Sequence, residues 1–469
     1  MSTGAVTGTV RPQDVVEHAL AQATGDGCIV IARESSEANL RWAGNTLTTN
    51  GVMRGRQLTV IATVGSGEGV ASGVVSRSNV GLEQVEALVQ AAEDAARSSR
   101  PAEDAAALIE PGTPDPEWDA PPSETSVEVF TDFAADLGDS FLAARAEGRE
   151  LFGFAEHQLA TTYLATSTGL RRRTDQPTGR VEITGKSSDW SRSTWVGQGT
   201  RDFSDVAMPQ LDAELRRRLG WAERQIDLPA GRDETLLPPS SVADLLIYQY
   251  WSSIARDAND GRSVFSRPGG GTRVGERLSE RPVRLWSDPS AAGLECTPFV
   301  VANSSGAAES VFDNGLPISS TDWITGGELA ALIQTRHSAA LTGLAVTPFV
   351  DNLMFSAADA TRGLEEMVAD TARGLLLTSL WYIREVDPET LLLTGLTRDG
   401  VYLVEDGEVV GEVNNFRFNE SPVDILGRLS EVGLTERTLC REWNDYFTRT
   451  ATPAWRVPDF NMSSVSRAR

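Results

Sequence analysis

Three histidines, three cysteines and one lysine are all this chain offers for the commoner forms of nucleophilic, Schiff-base and transition-metal chemistry. His18, His157 and His337 lie too far apart for any two to share a metal ion from neighbouring turns of one helix. The surroundings place His18 on a surface helix, His157 in a strand and His337, in QTRHSA, in a loop before an apolar strand. Cys28, Cys296 and Cys440 have no Cys-x-x-Cys spacing, and their odd number argues against a disulfide framework and against a cysteine zinc cluster. Cys440, in TLCREWNDYF, would need a histidine base to act as a thiol nucleophile and has none in sequence reach, so a buried small hydrophobe is expected. A carboxylate-only metal site from Asp244, Asp257 and Asp260 is conceivable, although their spacing suits a helix end reaching solvent. No Gly-x-Ser-x-Gly motif supports a serine hydrolase. The residues therefore indicate no catalytic side chain and no metal ligand.

Other runs read more simply as structure. GSGEG, at 65–69, lacks a following Gly-Lys-Ser/Thr and a helix start, so it reads as a hairpin turn and not a phosphate loop. Gly269-Gly270-Gly271 reads as a flexible loop. Arg171-Arg172-Arg173 could hold an anionic group, but on an edge strand a solvated charge run that blocks sheet pairing is the simpler reading.

The 42 Lys+Arg against 66 Asp+Glu give a net charge of −24, which excludes nucleic acid as an expected partner because phosphate binding needs a basic face. Lys186 is the only lysine, so the positive charge is almost all arginine and reflects compositional bias. No segment has eighteen uninterrupted apolar residues and the first thirty lack a signal-type apolar run, so no membrane partner and a cytoplasmic location are expected.

At 469 residues, two domains are expected. Helical spacing at 12–23, 83–97 and 127–148 alternates with β-prone runs at 28–34, 39–48, 58–64, 70–75, 151–159, 161–168 and 179–186, which reads as helices on one face of a curved sheet. A helix over 211–225 precedes a Pro- and Gly-bearing linker at 227–239, and an apolar, aromatic helix over 242–259 must be buried. Beyond it, 391–397, 401–405 and 409–418 are β-prone, and the Asp-Gly pairs at 399–400 and 406–407 suit tight hairpins of an antiparallel meander. The fold class is α+β, with an N-terminal α/β domain over 1–228 and a C-terminal, mainly antiparallel β domain over 229–469.

The stretch 374–426, with GVYLVEDGE at its centre, resembles the C-terminal region of the TldD/PmbA family of peptidases and peptide-maturation proteins. In that family a helix ending in Arg-Gly-Leu leads into an apolar strand and a loop with Asp-Pro. RWAGNTLTTNG and AEHQLATTYLATSTGLRRRTDQPTGRVEIT resemble strands of its N-terminal domain. The zinc-bearing TldD branch carries His-Glu-x-x-x-His on the helix opening the second domain and a cysteine near the C-terminus. Here the matching residues, 246–251, are LIYQYW, so the resemblance is to the PmbA/TldE-like branch, and Cys440 stands near the cysteine position without histidine partners.

That branch implies a metal-free subunit with no cofactor of its own, paired as a heterodimer with a TldD-like subunit that carries the zinc, the two enclosing a cavity for extended, unfolded or modified peptides. An autonomous hydrolase with an unrecognised site and a non-proteolytic peptide-binding scaffold are the alternatives. The expected partner or peptide interface is the loop 381–388, where Trp381, Tyr382 and Arg384 follow the buried run LLLTSL and are residue types enriched at contacts. Asn414 and Asn415 open a second candidate, a sheet edge over 414–418 to which an extended peptide backbone could add.

Overall fold

The computed structural model describes residues 10–466; residues 1–9 and 467–469 of the two expected domains lie outside the described residues. The first half is built from α1 (Pro12–Gln22), β1 (Gly27–Trp42), β2 (Leu47–Ser66), β3 (Gly69–Ser78), α2 (Leu82–Ser98), α3 (Thr131–Ala146), β4 (Arg149–Thr166), β5 (Arg171–Ser187), β6 (Ser193–Thr200) and α4 (Met208–Trp221). Its six strands run in the order β3-β2-β1-β4-β5-β6, antiparallel at every step.

Alternation along β1 sets the layers. Cys28, Val30 and Ala32 pack with Val15, Val16 and Ala19 of α1 and with Val85, Leu88 and Val89 of α2. Ala38, Leu40 and Trp42, on the same face, meet Phe133, Leu137 and Phe141 of α3 and Leu215 of α4. Ile29 and Ile31 point the other way and meet Phe299, Val311 and Phe312 from the second half of the chain. Each buried Val, Leu, Ile or Phe among these contributes about 1.5–3 kcal/mol, and a one-residue slip would exchange the two sets, so register is firmly specified.

Several local expectations change. The strands expected at 28–34 and 39–48 are one strand, β1, ended by a turn at 43–46 in which Gly44 and Asn45 adopt φ of 57° and 61°, a conformation those residue types tolerate. The runs at 151–159 and 161–168 are likewise one strand, β4. The arginine run opens β5 but is not solvated. Arg173 is buried and bonded to Asp175 and the Pro121 carbonyl, and Arg171 is held by Glu17.

The second half continues with β7 (Gln225–Ile226), β8 (Gly231–Leu237), α5 (Pro239–Trp251), α6 (Ala255–Asn259), β9 (Val283–Ser287), β10 (Thr321–Thr325), β11 (Glu328–Leu329), α7 (Arg336–Thr342), β12 (Leu353–Ala357) and α8 (Leu364–Ala369). There follow β13 (Arg373–Leu377), β14 (Leu380–Asp387), β15 (Leu392–Thr397), β16 (Val401–Glu405), β17 (Glu408–Val413), β18 (Phe416–Glu420), α9 (Pro422–Arg428), β19 (Glu431–Val432), β20 (Glu436–Thr438), β21 (Thr450–Thr452) and β22 (Trp455–Val465). One sheet has the order β11-β10-β9-β12-β21-β20, and a larger one the order β14-β15-β18-β22-β8-β13-β16-β17-β7, with β19 also on β22. Mixed helix and largely antiparallel sheet give the α+β class.

The expected linker at 227–239 is mostly sheet. Residues 231–237 form β8, in the interior of the larger sheet between β22 and β13, because Thr235, Leu236 and Leu237 are buried there. Both Asp-Gly pairs adopt positive φ, Asp399 at 52° and Gly400 at 134°, Asp406 at 50° and Gly407 at 82°. Only the second closes a hairpin, β16–β17. At 399–400 the chain leaves β15, which pairs with β14 and β18, and enters β16, which pairs with β13 and β17, so the meander is interrupted. Arg373-Gly374-Leu375 begins β13 and does not end a helix.

Candidate functional site

α5 begins after Pro238 and is buried on nearly every side, with Val242, Ala243, Leu245, Leu246, Ile247 and Tyr250 inaccessible to solvent. The residues at the positions implied for a metal motif, 246–251, build an aromatic cluster. The Tyr250 ring stacks on Phe349 with centroids 5.1 Å apart and meets Phe447 edge-on at 6.2 Å. Its hydroxyl donates to the Val350 carbonyl at 3.0 Å and accepts from the Val350 N–H at 2.8 Å. Tyr248 and Trp251 pack on Trp443, 5.5 and 5.3 Å away. These donors do not fit a zinc ion, which needs imidazole, thiolate or carboxylate at tetrahedral spacing, and no group of three or more His, Cys, Asp or Glu suited to a metal occurs among the described residues.

Cys440 is buried beside this cluster, its thiol donating to the Phe447 carbonyl at 3.2 Å, and burial drives its pKa well above the ordinary value. Asp244, expected near solvent, is instead wholly buried: its carboxylate accepts the N–H groups of Arg441 at 3.3 Å and Glu442 at 2.8 Å. Burial raises its pKa well above the usual carboxylate range despite those two hydrogen bonds. Asp257 and Asp260 are bonded to Arg262. His157 is buried between the Thr125 hydroxyl at 2.7 Å and the Arg201 carbonyl at 2.8 Å, and burial lowers its pKa. His337 lies on α7, not in a loop, beside the Arg256 guanidinium at 3.1 Å. His18, partly buried, is on α1.

Trp381, Tyr382 and Arg384 sit on a strand, not a loop. β14 pairs with β15 on one side and ends the larger sheet, and LLLTSL before it is buried. Tyr382 has φ of 52° and is 54% exposed, and the ladder shifts register between Trp381 and Arg384. The Glu442 carboxylate secures this kink by accepting the N–H groups of Tyr382 and Ile383, both at 3.1 Å, and by meeting Arg384 at 3.4 Å. Trp381 and Tyr382 meet edge-on at 5.5 Å, and the Trp381 indole N–H is buried without a hydrogen-bond partner among the described residues.

Sequence reasoning missed Arg441. Its guanidinium lies 5.1 Å from the ring centroid of Trp381 and 5.3 Å from that of Trp195 on β6. It donates to the Ser379 hydroxyl at 2.8 Å and to Asp399, whose carboxylate also accepts from Ser193 of β6 at 2.6 Å. One arginine thus ties the start of β14 to both halves of the chain, and its only linear signal is its place after Cys440.

Asn414 and Asn415 do not open an edge. The strand after them, β18, is paired on both sides, with β15 and β22, because its Phe416 and Phe418 are core residues. Asn414 accepts the N–H of Leu228 at 2.7 Å, and Asn415 accepts the Thr397 hydroxyl at 3.1 Å. Thr397 in turn lies opposite Leu380 in the ladder, one residue before Trp381.

The fold and the family model together define the class of the protein. Residues 230–464 match the family described as PmbA/TldA metallopeptidase C-terminal domain, and the chain belongs to the PmbA/TldD family. Among solved structures it is similar to TldE from Thermococcus kodakarensis, with a TM-score of 0.78 at 16% identity over 96% of this chain and 99% of that one. A putative modulator of a DNA gyrase from Thermotoga maritima matches with a TM-score of 0.76 at 17% identity, over 96% and 99% of the two chains. A putative modulator of DNA gyrase from Bacteroides thetaiotaomicron matches with a TM-score of 0.71 at 13% identity, over 97% and 98%. At these identities the likeness is one of fold. No curated protein sequence matches the chain. No helix among the described residues is long and apolar enough to cross a membrane.

Proposed function

We propose that this chain is the metal-free subunit of a two-chain peptidase, acting with a TldD-like subunit that carries the zinc and the catalytic residues, on extended, unfolded or modified peptides. The observation that carries this reading is the content of α5. A chain of a metallopeptidase family has Leu246, buried in the core, and Trp251, packed on Trp443, where the zinc-bearing branch would carry histidines, and the nearby Cys440 thiol is buried and bonded to a carbonyl. A substitution pattern that converts ligands into core cannot be reversed by a side-chain rotation.

The terminal strand β14 is the surface we assign to the partner or peptide. In support, it exposes Tyr382 and Val386 at 54% and 58%, places Arg384 beside them, and holds an indole N–H that has no acceptor among the described residues. A terminal strand can add a further strand through main-chain hydrogen bonds without demanding a sequence. We place the complex in the cytoplasm.

The test is to assay the purified chain for bound metal and peptide cleavage, alone and mixed with a homologue carrying His-Glu-x-x-x-His. The expected result is no stoichiometric metal and no cleavage alone, with cleavage appearing in the mixture. One equivalent of zinc or iron together with cleavage by the chain alone would overturn the proposal and favour an autonomous hydrolase.

A further inference from the structure

The face of the first sheet turned away from its helices carries an arginine whose side chain makes no hydrogen bond or salt bridge among the described residues. Along β1 the alternation that sends Ile29 and Ile31 into contact with Phe299 and Phe312 places Arg33 two residues further on, where that contact ends and a cavity of about 320 Å³ opens. The Arg33 side chain is exposed to this cavity and makes no hydrogen bond or salt bridge among the described residues, its charge acting only at longer range on the Asp351 carboxylate that lines the same cavity. Its ladder neighbours are Gln57 on β2 and Thr162 on β4, whose side chains line the same cavity and also lack hydrogen-bond partners. A guanidinium, a carboxamide and a hydroxyl thus form one row across three adjacent strands, all with unused donors.

The opposite wall differs in kind. Phe299, Val301, Ile318, Pro348 and Phe349 line it, and Phe349 is the ring stacked on Tyr250 of α5. Of the acids at the cavity, Asp313 is paired with Arg336 and Asp351 with Arg449, both at 2.6 Å, while Glu309 is bonded to the Ser304 hydroxyl. Arg33, which shares Asp351 with Arg449 only at longer range, is therefore the lining cation that holds no salt bridge and can meet an incoming anion, and the cavity falls in the size range of small-ligand sites.

We infer that this cavity receives the C-terminal end of a peptide, with the terminal carboxylate on Arg33 and an apolar last side chain against Phe299 and Phe349. A guanidinium binds a carboxylate through two parallel hydrogen bonds, and Gln57 and Thr162 offer further donors and acceptors to the last peptide unit. The ligand class rests on the peptide-handling reading above, whereas the site rests on Arg33 and its row.

The experiment measures anisotropy of a fluorescein-labelled hexapeptide ending in leucine, as the free acid and as the C-terminal amide, titrated with the full chain and with its Arg33→Gln variant at low salt. Arg33 is on the surface, so circular dichroism should show an unchanged fold. The expected result is at least tenfold weaker binding of the amide by the parent chain, a difference abolished in Arg33→Gln and partly kept in Arg33→Lys. Equal binding of acid and amide, a difference that survives in Arg33→Gln, or no binding of either peptide would each overturn the inference. Because the chain is assayed alone, failure here leaves assembly with a zinc-bearing subunit untouched, and failure to assemble leaves this result standing.

Discussion

The Asp244 carboxylate, wholly enclosed on α5, accepts the backbone N–H of Glu442 at 2.8 Å, and the Glu442 carboxylate in turn accepts the N–H groups of Tyr382 and Ile383 on β14. Two acids thus connect the helix that lacks metal ligands to the terminal strand assigned to partner or peptide. Perturbing one end of this chain of hydrogen bonds should be felt at the other.

The first prediction concerns pH. Burial raises the folded-state pKa of Asp244 well above its ordinary value, near 3.9, so the folded chain holds this proton more tightly than the unfolded chain. Stability from this group is fully present below about pH 4 and is lost as pH rises through the folded value. Asp244→Asn removes the titration, so its stability relative to the parent should improve as the pH rises from about 4.5 to about 8. Urea unfolding at the two pH values checks this; parallel profiles would show that Asp244 does not titrate in that range.

Tyr250→Phe should destabilise the second half by about 1–3 kcal/mol, because the Val350 N–H and carbonyl, both bonded to the lost hydroxyl, would be left unsatisfied in the core. A shift of the urea midpoint without a change in its slope is expected. An unmoved midpoint would mean the hydroxyl is replaceable by water.

Tyr382→Gly separates interface from fold. A left-handed conformation costs a non-glycine residue about 1–2 kcal/mol, so glycine at φ of 52° should keep or raise the melting temperature. Losing the exposed ring should weaken partner binding at least tenfold. A variant that melts earlier and binds normally would contradict the assignment of β14.

Gly73→Ala tests the packing of α2 on β3. A β-carbon there would stand 2.3 Å from the Ala92 carbonyl oxygen and from the Ala96 nitrogen, both backbone atoms of the helix. The expected loss is about 1–3 kcal/mol by denaturant melt; a neutral variant would mean the helix can shift outward freely.

The helices and most strands of the first half were legible because periodicity records burial directly: Val15, Val16 and Ala19, or Phe133, Leu137 and Phe141, face one core, whereas the short elements of the second half, α7 to α9 and most of its strands, carried no such pattern. Non-local pairing was not legible. Pro and Gly around 227–239 read as a linker, yet Leu236 and Leu237 are held between β13 and β22, which lie more than a hundred residues further along the chain. For the same reason 414–418 read as an edge and is an inner strand, while the terminal strand, β14, read as a loop. The contact residues Trp381, Tyr382 and Arg384 were visible by type, but Arg441 was not, because its two rings come from positions 195 and 381. Arg33 gave no linear signal, since its row exists only once β1, β2 and β4 are paired.

The central claim, a metal-free subunit working through a zinc-bearing partner, is tested most directly by co-expressing the tagged chain with an untagged His-Glu-x-x-x-His homologue and measuring what elutes with it on affinity and size-exclusion columns. The account predicts a complex of one copy of each chain, with one zinc per complex that disappears when the partner's histidines are replaced. Elution of the tagged chain without the homologue, or zinc that stays after those histidines are replaced, would contradict it.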